Sequence, residues 1–445
     1  MKYSDSENLI EQRPVVYYGW VVIGIGFVTL AIAFGIWYSF SVFFLTIIKE
    51  LGWSRGLGAS IFSVFLLSHA LAGPLTGFLQ DRFGPRVVIP FGALILALSL
   101  VVTSRSTQLW HFYIAYGVFG GASVSLLGFI SHAAFLPNWF ERKRGLAVGI
   151  ATSGIGFGML FIVPLVEKSI AAFGWRTTYL LLAVLVFFLA GPLNLIFSRQ
   201  SPENLNLKPD GDSASQKDRP VRSSMVIKIV DTDWASRDWT LRSASRTYRL
   251  WLLLAAFFCQ AYAYQGTLLH AISAMVDVGL ARESAAFYFG ILGIAGSGGK
   301  ILFGYLSDRL GRERANTLGG IAAVAGILSL IGAAFFMGPL PILFALFFGL
   351  GYGAAAPLLP SIGADIFIGK SFGLIFAVIS MGGGAGGAAG SFLSGVLHDV
   401  TGTYSIALTI CIVSLMLSCS FIWIVGPRKV RTMVRNTESR ASLRG

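Results

Sequence analysis

Long apolar runs punctuate this chain, each close to the ~20 residues a helix needs to cross the hydrocarbon core of a bilayer. Twelve can be bounded, at roughly 17–48, 56–79, 87–104, 108–136, 145–167, 175–198, 249–277, 284–306, 316–337, 340–364, 372–396 and 404–426, hereafter spans 1 to 12. In hydrocarbon every backbone N–H and C=O must be paired within protein, so only helices and closed barrels can span it. The runs are continuous rather than alternating, which excludes barrel strands. The expected fold class is therefore all-α membrane protein with twelve transmembrane helices. Span 1 is too long for a secretory leader, and no small-residue cleavage site follows it. Composition agrees: 12% of the 445 residues are charged, about half the ~25% of a soluble domain. Cys259, Cys411 and Cys419 lie in apolar spans with no CxxC pairing, so neither a disulfide nor a metal site is expected.

The net charge of +13 would suggest a nucleic-acid partner in a soluble chain. In a membrane chain it reports orientation. With both termini cytoplasmic, the inner segments hold 27 of the 34 basic residues and the outer loops hold six, Lys49, Arg55, Arg105, Lys168, Arg176 and Arg282. The expected location is the cell's plasma (inner) membrane, multi-pass, with N- and C-termini inside. One basic residue, Lys300, belongs to neither side because it lies within span 8.

The longest polar stretch, 199–248, separates six spans from six, and the two halves resemble one another. Gly77-Phe-Leu-Gln-Asp81-Arg82-Phe-Gly84-Pro-Arg86 recurs as Gly304-Tyr-Leu-Ser-Asp308-Arg309-Leu-Gly311-Arg312, at an offset of 227. Arg144-Gly145-Leu146 matches Phe372-Gly373-Leu374, and Gly174 matches Gly402, both at 228. The chain is thus a duplicated 6+6 array. Its expected parts are an N-terminal bundle (1–198), a cytoplasmic linker (199–248), a C-terminal bundle (249–427) and a basic tail (428–445). In the repeated loop, Gly77 and Gly304 are expected to let helices approach closely. Asp81 and Asp308 would face a helix N-terminus, with Arg82, Arg86, Arg309 and Arg312 closing on them.

This signature, twice in a 6+6 membrane chain, resembles the major facilitator superfamily over essentially the whole length. Within it, Tyr17-Tyr18-Gly19-Trp20 opening span 1, Trp139-Phe140-Glu141-Arg142-Lys143-Arg144-Gly145-Leu146 before span 5, and Ser201-Pro202-Glu203-Asn204-Leu205 with Lys208-Pro209 in the linker are similar to monocarboxylate transporters and their bacterial relatives, the oxalate–formate exchangers among them. The resemblance implies two six-helix pseudo-symmetric bundles that rock about a central site. It implies a small organic anion as substrate, with protons as the coupling partner in the symporters of the family.

Lys300 is the first candidate for substrate binding. It lies eight residues before Asp308, hence ~12 Å up the helix at 1.5 Å per residue. A charge at that depth costs at least ~2.5–3.5 kcal/mol without a partner. The acids of the spans, Asp81, Glu167, Asp277, Asp308, Asp365 and Asp399, all sit near helix ends, so a substrate carboxylate is the natural partner. The resembled family usually has arginine at this position and an acid four residues earlier; here these are Lys300 and Gly296. Tyr38 stands on span 1 where animal relatives carry lysine. His270, in a pattern ending Asp277-Val-Gly279, resembles a histidine position of bacterial relatives. His270, Asp277 and Lys300 are the proton-coupling candidates. Tyr352 and Phe348, four apart on span 10, and Phe376 on span 11 are candidates for an apolar wall. Trp37 is expected to face lipid.

Gly382-Gly383-Gly384-Ala385-Gly386-Gly387 formally fits a dinucleotide fingerprint but follows no strand. Gly296-Ser-Gly-Gly-Lys300 lacks the outer glycine and the hydroxyl residue of a phosphate loop. No ATP site, cofactor, metal or nucleic-acid partner is expected, and no nucleophile–base set suggests an enzyme. The linker's end, 239–249, reads as either a basic helix on anionic headgroups or a solvated connection, and the Arg-rich tail as disordered. The function this supports is secondary active transport of small monocarboxylates such as lactate or pyruvate, coupled to protons. An oxalate/formate-type anion exchanger and a transport-inactive sensor remain alternatives.

Overall fold

The computed structural model describes residues 17–140, 144–205, 207–209, 225–336, 338–367, 369 and 371–435. Eleven helices in it are long and apolar enough to cross a bilayer. The longest, Gly145–Phe197, is two spans, because Gly174 at its middle adopts φ 77°, ψ 163° and breaks the run. That left-handed backbone is open to glycine and strained for other residues. The twelve spans are thus present, in two six-helix bundles.

Spans 1 and 7 are Tyr18–Leu51 and Tyr248–Asp277. Spans 2 and 8 are Arg55–Phe83 and Arg282–Leu310. Spans 10 and 11 are Leu340–Ile366 and Phe372–Thr401. Span 4 runs from Leu109 to Trp139, with a π-helical stretch at Tyr113–Gly120 and a break at Gly128. Small residues let backbones touch where no water-driven force helps. A Cβ added at Gly386 would lie 2.1 Å from the Phe258 carbonyl oxygen, and one at Gly390 would lie 2.1 Å from that of Tyr262. The glycine run of span 11 is therefore a packing face against span 7, not a nucleotide loop.

The linker lies at one end of the molecule, the linker end; the opposite end is the far end. Its first part is held by the N-terminal bundle, with Tyr17 donating to the Lys208 carbonyl and Trp139 Nε1 to that of Arg199. Its last part is held by the C-terminal bundle, where Trp234 Nε1 donates to the Ile366 carbonyl. Two expectations are corrected here. Strand β1, Met225–Ile229, pairs antiparallel with β2, Arg431–Arg435, so the tail begins as an ordered strand because the linker offers an edge to pair with; 436–445 lie outside the described residues. The 239–249 stretch holds one capped turn, Leu241–Ala244, instead of a surface helix, because Trp239 is buried against Trp234 and Phe367.

The duplicated loops are wired differently. Gly84 and Gly311 both turn with positive φ, 70° and 91°. In the second copy Arg312, not Arg309, is the partner of the acids: it reaches Asp308 at 2.8 Å, Asp365 at 3.1 Å and the Ser307 hydroxyl at 2.6 Å. Arg309 stacks over Tyr305. In the first copy Arg86 donates to the Leu195 carbonyl, Arg82 lies over Phe83, and Asp81 has no ion pair or hydrogen bond among the described residues. A Cβ at Gly77 would meet nothing within 4 Å, and one at Gly304 only Pro357 at 3.8 Å. Neither glycine is a close approach in this conformation, because the bundles are parted at the linker end.

Candidate central site and its outer latch

The seam between the bundles is closed from the far end to mid-depth and open beyond it. Along spans 2 and 11, a Cβ on Gly56 would meet Val396 at 2.8 Å, Ser63 donates to the Ala388 carbonyl at 2.7 Å, and a Cβ on Gly384 would lie 2.6 Å from Ala70. Along spans 5 and 8, a Cβ on Gly156 would lie 2.3 Å from the Gly293 carbonyl oxygen, and Ser297 approaches the Ser153 carbonyl at 3.5 Å. One turn further toward the linker end on the same faces, Gly149 would meet nothing within 4 Å, Ile301 is 71% exposed and Met381 53% exposed.

Lys300 lies one turn past Ser297, where the seam opens. Its backbone packs on span 10: a Cβ on Gly353 would lie 2.9 Å from the Lys300 nitrogen and 2.1 Å from the Gly296 oxygen. Glycine at 353 allows this approach, which carries Lys300 next to Tyr352, whose ring is 3.7 Å from the Cβ position of Gly296. The Tyr352 hydroxyl in turn meets that of Tyr38 at 2.5 Å across the seam, and Tyr38 rests against Phe289 of span 8. The Tyr38–Tyr352 pair therefore bridges the seam at the level of Gly296, one helical turn from Lys300. Among the described residues Lys300 has no hydrogen bond and no ion pair. The residue as a whole is half-buried. What this arrangement can do is hold an anion: one unpaired cation among the described residues, and hydroxyls able to donate.

The other predicted residues divide. Phe348 is buried within the C-terminal bundle, stacked on Phe344 and edge-on to Tyr264, one layer behind Tyr352. Tyr264 donates to the Gly351 carbonyl. Phe376 packs with Phe257 and Phe372 nearer the linker end. Trp37 does not face lipid: it is buried against Phe65 and His69, because its face of span 1 turns toward span 2.

His270 and Asp277 lie at the far end, away from Lys300. There Arg55, at the start of span 2, holds Asp277 with two bonds of 2.6 and 2.8 Å, and the Asp399 carboxylate accepts from the Arg55 and Gly56 amides at 2.9 and 2.7 Å. His398 reaches Asp277 at 3.3 Å. Arg55 also donates to the Tyr404 hydroxyl, which contacts His270 Nδ1 at 2.9 Å. The other nitrogen, Nε2, meets the Ser391 carbonyl at 2.9 Å. A carbonyl only accepts, so Nε2 carries the hydrogen and Nδ1 accepts from Tyr404. The result is a one-way chain from Arg55 through Tyr404 and His270 to Ser391. Beside it, Arg282 of span 8 pairs with Glu167 of span 5 at 3.1 Å and donates to Thr46 of span 1. A recess of about 600 Å³ reaches Arg55, Asp277, Arg282, His398 and Asp399 from the far face.

This latch was missed by residue-by-residue reading. Arg55 and Arg282 read as outer-loop charges, and Tyr404 as one aromatic among many. The available signal was that both basic residues open a span while Asp277 and Asp399 close one, so all four share a level.

Comparison with known proteins follows the same lines. The family model described as Major Facilitator Superfamily matches residues 25–375. Monocarboxylate transporter 11 of Homo sapiens is 27% identical over 422 residues, covering 92% of this chain and 83% of that protein. Monocarboxylate transporter 12 of Xenopus laevis is 26% identical over 427 residues, covering 94% and 90%. Monocarboxylate transporter 13 of Bos taurus is 25% identical over 403 residues, covering 88% and 86%. Among solved structures, a bacterial homologue of the human lysosomal transporter Spinster, inward-facing and unoccupied, superimposes with a TM-score of 0.65 at 14% identity, over 93% of this chain and 98% of that one.

Proposed function

The chain belongs to the major facilitator superfamily, and from that premise we propose that it is a proton-coupled, secondary active transporter of small monocarboxylates, lactate or pyruvate in size. Membership makes it a multi-pass membrane transporter of small organic substrates; the substrate and the coupling are our reading. The observation that carries it is Lys300, a cation without a partner among the described residues, at the point where the seam opens. Similarity to monocarboxylate transporters over about nine-tenths of the chain supports a carboxylate as its missing partner.

The proposed cycle follows from charge. With an empty site, closing the linker end would strand an unpaired ammonium in a low-dielectric seam. A bound carboxylate neutralises it, and Tyr38 or Tyr352 can give it a hydroxyl donor, so closure becomes favourable only when loaded. The 27-to-6 distribution of basic residues supports assigning the linker end to the cytoplasm of the cell's plasma membrane. The division at 199–248 would separate two bundles that move as bodies. Asp277 is the proton carrier we favour: a proton there removes half of the Arg55 pair and loosens the far end, and the recess gives water a route to it.

Reconstitution tests this. Lys300→Ala is expected to reach the membrane and reduce carboxylate uptake in proteoliposomes to background, with Lys300→Arg retaining part of it. Normal uptake by Lys300→Ala would overturn the proposed site. Uptake by the unaltered chain that ignores a pH gradient but requires internal anion would replace symport by exchange.

A further inference from the structure

At the linker end a second cation lacks an anionic partner among the described residues. Arg249, in the first turn of span 7, is only 8% exposed. Its guanidinium lies 4.0 Å over the Trp234 ring, a ring fixed by its own bond to the Ile366 carbonyl and by contact with Trp239. Among the described residues, Nε and Nη1 are sealed without an acceptor, and no carboxylate pairs with Arg249. Stacking accounts for part of its stability, but a buried guanidinium without an anion remains costly. Only Nη2 stays outside the sealed set.

The helix it belongs to has the same deficit. Span 7 starts with no side-chain cap and no acidic residue in its first turn. Thr247, at the cap position, instead donates its hydroxyl to the Ala244 carbonyl. The amides of the first turn and their positive dipole end are thus left to an external acceptor. Tyr248 and Trp251 are each 57% exposed beside them, and Trp251 points its indole N–H back to the Ser245 carbonyl. Amphipathic aromatics of this kind mark the headgroup level of a bilayer.

We propose that the start of span 7 is a binding site for a phosphate group, and specifically for the headgroup phosphate of an anionic phospholipid. Arg249 Nη2 and the free first-turn amides take the phosphate oxygens, while Tyr248 and Trp251 take the glycerol and upper acyl region. Among the described acids of the neighbouring linker, Asp231 caps the Trp234 amide instead, and neither it nor Asp233 or Asp238 pairs with Arg249. Arg242 and Arg246 add local positive potential that favours an anionic headgroup over a zwitterionic one.

The test uses the full chain, delipidated in a neutral detergent, with native mass spectrometry and thermal shift as readouts. Dioctanoyl phosphatidylglycerol, dioctanoyl phosphatidylcholine and inorganic phosphate are titrated separately. The expected result is saturable binding and a raised Tm with the glycerol lipid, weaker by about tenfold or more in Arg249→Gln and unchanged in Arg176→Gln at the far end. Equal response to both lipids, or an unaltered affinity in a folded Arg249→Gln protein, overturns the proposal. Inorganic phosphate that saturates the site and displaces the glycerol lipid at equal concentration overturns the lipid assignment in favour of a soluble anion. If Arg249→Gln does not fold, the comparison of the two lipids on the unaltered chain decides alone.

Discussion

The two ends of the bundle seam are built from different chemistry. At the far end, five charged residues make the bonds that cross it, Arg55 with Asp277 and Asp399, and Arg282 with Glu167, while Tyr404 accepts from Arg55 and His270 lies behind it. At the linker end, charges are more abundant, but their bonds stay within one bundle: Arg86 to Leu195, and Arg312 to Asp308 and Asp365. Among the described residues no hydrogen bond or ion pair crosses the seam there. The difference teaches that charge alone does not close a gate; what matters is whether partners sit on the same bundle or on opposite ones. A rocking transporter needs cross-seam bonds that can be broken as a set, and self-contained loops that hold each bundle rigid while they break.

The largest effect is expected from wedging the closed half. Gly156 has no room for a side chain, because a Cβ would lie 2.3 Å from both the Gly293 oxygen and the Ser297 hydroxyl. Gly156→Leu should therefore abolish uptake and hold the far end apart, read as labelling of a cysteine introduced at Ser54 by a membrane-impermeant thiol reagent. Labelling at the rate of the parent would show that the seam does not close there. Next comes the latch. Removing one partner of a charge-assisted pair costs about 1.5–3 kcal/mol, so Asp277→Asn should shift the balance toward the far-open state by roughly ten- to a hundredfold, with uptake losing its dependence on the pH gradient. If Asp277→Asn keeps full gradient dependence, Asp277 is not the proton carrier.

How much of this was legible in the chain depends on the length scale of the interaction. Spans follow from local apolar runs, and the duplication from a repeated motif, so both could be read directly. Lys300 was legible because one charge in a long apolar helix violates a strong solvation rule. Tyr38 and Tyr352 were legible only as separate candidates, since their bond joins residues 314 apart. Arg55–Asp277 was hidden for the same reason, and because a charge at a span end satisfies the solvation rule without any partner. His270 illustrates the converse error. Its pattern suggested a substrate contact, but its depth near the end of span 7, seven residues from Asp277, puts it in the latch.

A smaller effect should come from the Tyr38–Tyr352 bridge. Tyr38→Phe removes one hydroxyl from the 2.5 Å pair and leaves the ring in place. A single neutral hydrogen bond contributes about 0.5–1.5 kcal/mol net, so a loss of roughly two- to tenfold in apparent carboxylate affinity is expected in equilibrium binding. His270→Gln, which lies outside this cluster, should leave that affinity unaltered. A fall in affinity with His270→Gln as large as with Tyr38→Phe would erase the separation between site and latch.

The smallest static effect, and the sharpest test of the comparison, lies at the open end. Gly77 and Gly149 have empty space where a Cβ would go, and both sit in helices, where alanine is favoured over glycine by about 1 kcal/mol. On the structure alone, Gly77→Ala and Gly149→Ala should be neutral or slightly stabilising in thermal unfolding. Alternating access adds a condition: those faces must meet the other bundle when the linker end closes. The far end shows what such a meeting demands, since Gly156 and Gly384 there tolerate no Cβ without displacement. If the linker end closes by the same kind of helix contact, that constraint should pass to Gly77 and Gly149 in the other state. The two variants should therefore slow turnover several-fold while leaving stability and substrate binding intact. Full turnover in both would mean that the linker end closes without close helix contact, and that the two gates differ in packing as well as in charge.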